Sequence, residues 1–226
     1  MSLYLSAPLN QTLSEQAASE LRQAILDGRL KPGQRLAEQE IAEAMHLSRG
    51  PVRDALRILE TESLVIRYPR RGAFVATLTL QDAEEIFSLR EALEIVAFEH
   101  AIKNASDEQI DELEQTVTRM ESMTQQTYSE LEATSLDMDF HEALCRISGH
   151  SRILSTWMSL RAQIRLLILT HRVQHPAEFR ESAVDAHRRI VASLRGRDKS
   201  QSRELLHEHF KAPFQSTIEA IEQNKL

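Results

Sequence analysis

Apolar residues recur every three or four positions over Leu13, Ala17, Leu21, Ala24 and Ile25, the period that lines one face of a helix. Thr12 and Glu15 supply a capping box in front of that run, and Gly28 supplies a stop behind it. The helical pattern returns over Leu36 to Met45, with Leu36, Ile41, Ala44 and Met45 as core positions, and the tight connection His46-Leu47 leads into a third segment. There Val52, Leu56 and Leu59 fall on one face, while Arg49, Arg53 and Arg57, four apart, keep to the other. Ser48 is a good N-cap for this helix, and Pro51 is tolerated in its first turn, where a backbone N–H has no carbonyl to meet. The period then changes. Leu64 to Tyr68 and Ala73 to Ala76 are β-rich runs, and Pro69-Arg70-Arg71-Gly72 between them predicts a hairpin with a basic tip.

From Thr79 onward the pattern is helical throughout. Thr79 with Asp82 caps a helix reaching about Lys103, and Ser106 with Gln109 caps another reaching about Gln126. A third spans Ser129 to Ser148 with Gly149 as its stop, and a fourth runs from Ser151 to about His171. Pro176 sits in the first turn of a fifth that ends near Gly196, and Ser200 begins a sixth that Pro213 interrupts or bends. The predicted fold is mainly α: a winged helix-turn-helix with a small β-hairpin wing over residues 1–78, then an antiparallel all-α helical bundle over residues 79–226.

Charge supports that division. Residues 1–78 carry ten basic against nine acidic side chains, whereas the whole chain has a net charge of −7, so acid is concentrated in the bundle. A cluster of arginines between Arg49 and Arg71 can still attract nucleic acid, because electrostatic influence decays over about 8 Å in physiological salt. The single cysteine excludes an internal disulfide, and with no apolar segment of signal-peptide or membrane-spanning length a soluble cytoplasmic protein is expected.

In the bundle, Asp137 and His141 lie four apart on one helix face. His187 heads the apolar stripe Ile190, Val191, Leu194 and so points inward. His209 shares a face with Leu206 beside Phe210, whereas His207 lies with Arg203 and Lys211 on the polar side. Three imidazoles and a carboxylate converging in a core suit a divalent metal such as Zn, Ni, Fe or Mn; the alternative is four core side chains bonded to their neighbours.

Residues 10–78 resemble the winged helix-turn-helix of the GntR family of bacterial transcription regulators. The resemblance is carried by Leu30-Lys31-Pro32-Gly33-Gln34-Arg35-Leu36, by Ser48-Arg49, Pro51-Val52-Arg53 and Ala55-Leu56, and by Arg71-Gly72-Ala73-Phe74-Val75. It implies DNA contacts from Arg35, Arg49, Arg53 and Gly72, with Ser48 touching phosphate; Arg57 and Arg71 add basic groups on the same helix and at the wing tip. Gly50 stands where the family usually carries a small hydroxylated residue, and Ser63 stands where a glycine usually precedes Leu64.

Residues 80–220 resemble the FCD effector domain of the FadR-like branch. Arg90 with Glu94, the segment Asp137-Met138-Asp139-Phe140-His141, Ser148-Gly149, His187 with Ile190 and Ala192, Arg197-Asp198 and His209 carry this second resemblance. In that family an aspartate and three histidines bind a metal, and the match puts them at Asp137, His141, His187 and His209. His150 replaces an asparagine common after Ser148-Gly149 and is a further candidate for the ligand pocket, whereas His171 and His175 are expected at the surface.

A six-coordinate ion with four protein ligands retains positions for the oxygens of a carboxylate. Arg90, Arg161 and Arg165 are candidate partners for such an acid, because guanidinium pairs with carboxylate in bidentate geometry; Arg90 could equally pair with Glu94, and the other two could lie at a dimer surface. The expected protein is a ligand-responsive regulator that binds a near-palindromic double-stranded DNA operator as a homodimer, with a metal-containing pocket for a small organic acid and no membrane association. Two alternatives are a metal-dependent enzyme built on the bundle, for which no further acid at fixed spacing supplies a general base, and a DNA-binding regulator whose bundle is purely structural.

Overall fold

A computed structural model describes residues 12–124, 129–174, 180–199 and 202–223. The chain divides into two compact units, Met1–Thr77 and Leu78–Leu226.

The first unit begins with α1 (Leu13–Leu26), whose N-terminus is closed by the reciprocal bonds of Thr12 and Glu15. Gly28 turns the chain at φ +70°, a left-handed conformation that side chains with a Cβ resist. Arg35–Leu36 then forms a short strand, β1, and α2 follows as Glu38–Ala44. Leu36 is thus buried from a strand, and the expected second helix is shorter than its apolar pattern implied. Within it Ala42 is buried whereas Ala44, expected in the core, is exposed.

The arginine-bearing helix is α3 (Arg49–Thr61), packed through Val52, Ala55, Leu56 and Leu59. Ser48 occupies the N-cap position, but its hydroxyl makes no capping bond. Ser63 leaves the helix at φ +57°, in the left-handed region, so a serine holds a conformation that glycine adopts without strain. β2 (Val65–Tyr68) and β3 (Gly72–Val75) pair antiparallel, with Val65 opposite Val75 and Tyr68 opposite Gly72. β1 adds to the other side of β3, Arg35 opposite Phe74, giving a three-stranded sheet of order β1-β3-β2 where a two-stranded wing was expected. Ala17, Leu21 and Ile25 of α1 join the α3 residues and the inward side chains of the sheet in the buried interior. Arg22 ties α1 to the end of α3 through Glu62, with N–O distances of 2.7 and 2.6 Å.

Six helices make the second unit among the described residues: α4 (Leu80–Asn104), α5 (Asp107–Thr124), α6 (Glu130–Ile147), α7 (Ser151–Gln174), α8 (Arg180–Arg195) and α9 (Ser202–Gln223). Thr79 and Asp82 form a capping box at α4, Ser106 and Gln109 bond reciprocally in front of α5, and Ser129 caps α6. They form an antiparallel bundle in which α6 packs on α4, α5 and α7, and α9 packs on α4, α7 and α8. One apolar cluster runs through Phe98, Leu113, Phe140, Leu144, Ile190 and Phe210, and a second is centred on Trp157, Met138 and Phe87. Pro213 lies inside α9 without ending it. Lacking an N–H, it leaves the carbonyl four residues back, that of His209, without its usual helical donor. His175, Pro176, Ser200 and the side chain of His171 lie outside the described residues.

Candidate nucleic-acid interface and candidate metal centre

In the first unit a cleft of about 660 Å³ is lined by Arg35 of β1, Glu38 and Gln39 of α2, Arg49 and Arg53 of α3, Arg67 of β2 and Gly72 of β3. It gathers four of the expected contact residues, Arg35, Arg49, Arg53 and Gly72. Gly72 adopts φ +97°, so the wing turns where glycine is suited. Ser48, Arg57 and Arg71 lie outside the cleft lining. Ser48 is exposed at the start of α3. Arg57 is exposed and 3.1 Å from Asp54, and the Arg71 guanidinium sits 5.6 Å from the Tyr68 ring centre at the wing tip.

Glu38, Glu40 and Glu43 also line this cleft, and the sequence pattern did not single out Glu38, the one that pairs with its arginines. Glu38 meets Arg53 at 3.0 Å, Arg49 at 3.4 Å and Arg67 at 3.9 Å. The hydrogen bond from Arg53 holds the Glu38 carboxyl below the usual carboxylate range, against a smaller opposing effect of burial.

In the second unit Asp137 and His141 of α6, His187 of α8 and His209 of α9 converge, each offering one ligand atom, with all four atoms within 4.8 Å of one another. His209 Nε2 is 3.0 Å from His141 Nε2, and His187 Nε2 is 3.4 Å from Asp137 Oδ1. The partners of the outer ring nitrogens decide which atoms face inward. His141 Nδ1 meets Glu94 Oε2, and His187 Nδ1 meets the Ala183 carbonyl at 2.7 Å. A carboxylate and a carbonyl can only accept, so both Nδ1 atoms carry the proton and both Nε2 atoms turn a lone pair to the centre. His187 Nε2 is buried without a hydrogen-bond partner, as a ligand atom aimed at an ion would be.

Electrostatics favour the neutral form of His141 and His209. Burial pushes His209 well below the ordinary histidine value, helped by His187 and His141, and burial also lowers His141 despite the opposing pull of Glu94. Glu94 itself is wholly buried; burial would raise it, but the N–H groups that His141 and Arg90 direct at its carboxylate, with the charge of Arg90, bring it down to about 2. It accepts from Arg90 Nε at 2.9 Å and from the Trp157 indole at 2.8 Å, as well as from His141. Imidazole nitrogens and one carboxylate, with the outer ring atoms of His141 and His187 anchored and His209 Nδ1 left unpaired, make a donor set that suits a divalent ion.

Arg90 is the expected effector contact that reaches this centre. Its Nη2 stands 3.9 Å from Asp137 Oδ2 without a hydrogen-bond partner, and its guanidinium lies 4.7 Å from the Phe210 ring centre. Arg90, Asp137, His209, Phe210 and Pro213 border a cavity of about 20 Å³. Arg161 instead bridges Asp139 and Glu142 of α6, both at 3.0 Å. Arg165 is half-buried one turn further along α7 and does not line that cavity. His150 accepts the Ile153 N–H at 3.3 Å at the start of α7 and meets the His100 ring edge-on. Its place is a helix cap. His207 is exposed and bonds Glu91 at 2.8 Å.

Residues 13–75 match the family model described as bacterial regulatory proteins, gntR family, and residues 85–212 match the FCD domain. The chain belongs to the gntR family. Relatives across nearly the whole length agree with this. The gluconate operon transcriptional repressor of Bacillus licheniformis is 31% identical over 197 residues, covering 85% of this chain and 80% of the repressor. The HTH-type transcriptional regulator YdhC of Bacillus subtilis is 28% identical over 208 residues, 92% of either chain. Among solved structures, E. coli McbR/YncC shares the fold with a TM-score of 0.76 at 23% identity, covering 96% of this chain and all of that one. This gntR-family protein is accordingly a DNA-binding transcription regulator with an FCD domain, and not an enzyme. Among its described residues no helix is long and apolar enough to cross a membrane.

Proposed function

We propose that this regulator senses a small organic acid through a divalent metal held by Asp137, His141, His187 and His209, and responds by changing its affinity, as a homodimer, for a near-palindromic operator. The observation that carries the reading is the pair of buried Nε2 lone pairs of His141 and His187, directed at a common centre by Glu94 and Ala183. A bound ion would supply positive charge and open positions for carboxylate oxygens. Arg90 supplies the second contact, its buried Nη2 being available at the cavity wall. A cavity of about 20 Å³ has room for about one water, so an acid enters only as side chains around Phe210 and Pro213 move. A relative named for a gluconate operon fits the chemistry, gluconate being a small carboxylate. On the DNA side Arg35, Arg49, Arg53 and Gly72 read the operator from the cleft, while Ser48, Arg57 and Arg71 meet phosphates beside it; the free Ser48 hydroxyl suits that task.

Elemental analysis of protein purified without chelator tests the first half: about one divalent ion per chain in the native protein and in His207→Ala, and none in His187→Ala. Full occupancy in His187→Ala would remove this ligand set. Calorimetry of a carboxylate panel with and without operator tests the second half, since the factor by which an acid changes operator affinity must equal the factor by which operator changes acid affinity, typically ~1–3 kcal/mol of coupling. Acids that bind equally well with and without DNA would show that the bundle is not the sensor.

A further inference from the structure

An acid among the arginines of a DNA-binding cleft costs affinity, because each protein cation that meets a phosphate releases a counterion and each anion nearby opposes it. Glu38 is such an acid, and its geometry is specific. It is the first residue of α2, one-fifth exposed, and its carboxylate reaches across to α3. It takes Arg53 along one edge of the guanidinium, from Nε at 3.3 Å and Nη2 at 3.0 Å. Arg49 approaches the same carboxylate at 3.4 Å, and Arg67 contacts it at 3.9 Å while donating to the Arg53 backbone carbonyl at 3.1 Å.

A guanidinium has two edges that can form paired hydrogen bonds. Glu38 fills the Nε–Nη2 edge of Arg53, which leaves the end of the fork, with Nη1, directed away from the carboxylate. That end is the part that pairs with the O6 and N7 acceptors of guanine in the major groove. Arg53 is nearly half exposed, so without an anchor its long side chain would be free to reach any phosphate nearby.

We propose that Glu38 is a positioning residue for sequence readout: it aims Arg53 and Arg49 at base edges and withholds them from phosphates, lowering general DNA affinity in exchange for selectivity. The proposal rests on the DNA-binding reading of the cleft. It requires that Glu38 act through the arginines it touches and not through its charge alone. Glu40 provides the comparison, since it carries the same charge in the same helix turn without pairing to these arginines.

The probes are the duplex that the wild-type protein itself selects from a random-sequence library and sheared genomic DNA lacking that sequence. Glu38→Gln should bind the genomic DNA more tightly than wild type and lose roughly tenfold or more of the selected-to-genomic affinity ratio, the scale of one base contact. Glu40→Gln should tighten both duplexes by the same factor and keep the ratio. Glu38→Asp, which retains the charge but not the reach, should lose part of the ratio, and in a background carrying both Arg49→Ala and Arg53→Ala the change Glu38→Gln should alter the ratio no further. A wild-type ratio in Glu38→Gln, or an equal loss in Glu40→Gln, would overturn the positioning role. If the wild-type protein selects no duplex from the library, the DNA reading of the cleft falls first and this proposal with it.

Discussion

The two units each contain an arginine–glutamate pair, and they use it in opposite ways. Arg53 and Glu38 are 3.0 Å apart with side chains 46% and 20% exposed. Arg90 and Glu94 are 2.9 Å apart with side chains 3% and 0% exposed. In water the first pair contributes about 0–1 kcal/mol, and it leaves one end of the Arg53 guanidinium open to DNA. The second pair has lost its hydration; the remaining valences of Glu94 are met by His141 and the Trp157 indole, while Arg90 lies over the Phe210 ring with its Nη2 unpaired. Burial therefore decides whether the same two side chains form an exposed contact that can face DNA or part of the framework.

The sharpest break in that comparison is to remove the acid from each pair. Glu94→Ala leaves Arg90 charged and buried, and should cost about 3–5 kcal/mol of unfolding free energy in urea titrations. Glu38→Gln should stay within about 1 kcal/mol of wild type in the same titration. Equal losses would mean that burial does not separate the pairs.

Chelation comes next. If the centre binds an ion present at 100 times its dissociation constant, stripping it should lower stability by about 2.7 kcal/mol. His187→Ala should start from the lowered value and show no further fall when chelator is added. A melting curve of wild type that ignores chelator would argue for a bundle held by the four side chains alone.

Smaller still is the contrast within α3. Arg53→Ala should lose roughly 1–3 kcal/mol of discrimination between the selected duplex and scrambled DNA. Arg57→Ala should weaken both alike and reduce the salt slope by about one contact, because its guanidinium lies outside the cleft. Gel shifts over a salt series separate the two, and an Arg53→Ala protein that still chose its duplex would dismiss it as a reader.

The mildest test compares two caps. Thr79→Ala removes a working capping box and should cost about 1 kcal/mol. Ser48→Ala should leave the melting temperature unchanged while weakening DNA binding, because that hydroxyl caps nothing. A matching fall in melting temperature for Ser48→Ala would return it to the helix.

Much of the architecture was legible because helix periodicity and capping are local. Thr12 with Glu15 and Thr79 with Asp82 act as their spacing implied, and the inward histidines were separable from His207 by face alone. What the pattern could not supply were relations across elements. A two-residue strand at Arg35–Leu36 exists only because β3 is beside it, and no periodicity shows in so short a stretch. Arg161 looked like a pocket residue from its spacing to Arg165, yet the facing helix offers it Asp139 and Glu142 first. Glu94 was visible only as a neighbour of Arg90. Its bonds to His141 and Trp157 join side chains 47 and 63 positions away, a distance at which sequence spacing carries no geometric information.

The Trp157 bond has an optical consequence. The chain has one tryptophan, so all indole emission comes from a single buried address. That indole donates to the same carboxylate that orients His141, and the field it feels depends on the charge carried there. Its emission wavelength and yield form an internal dye for the centre, allowing titrations to be followed in the unlabelled protein with DNA absent or present.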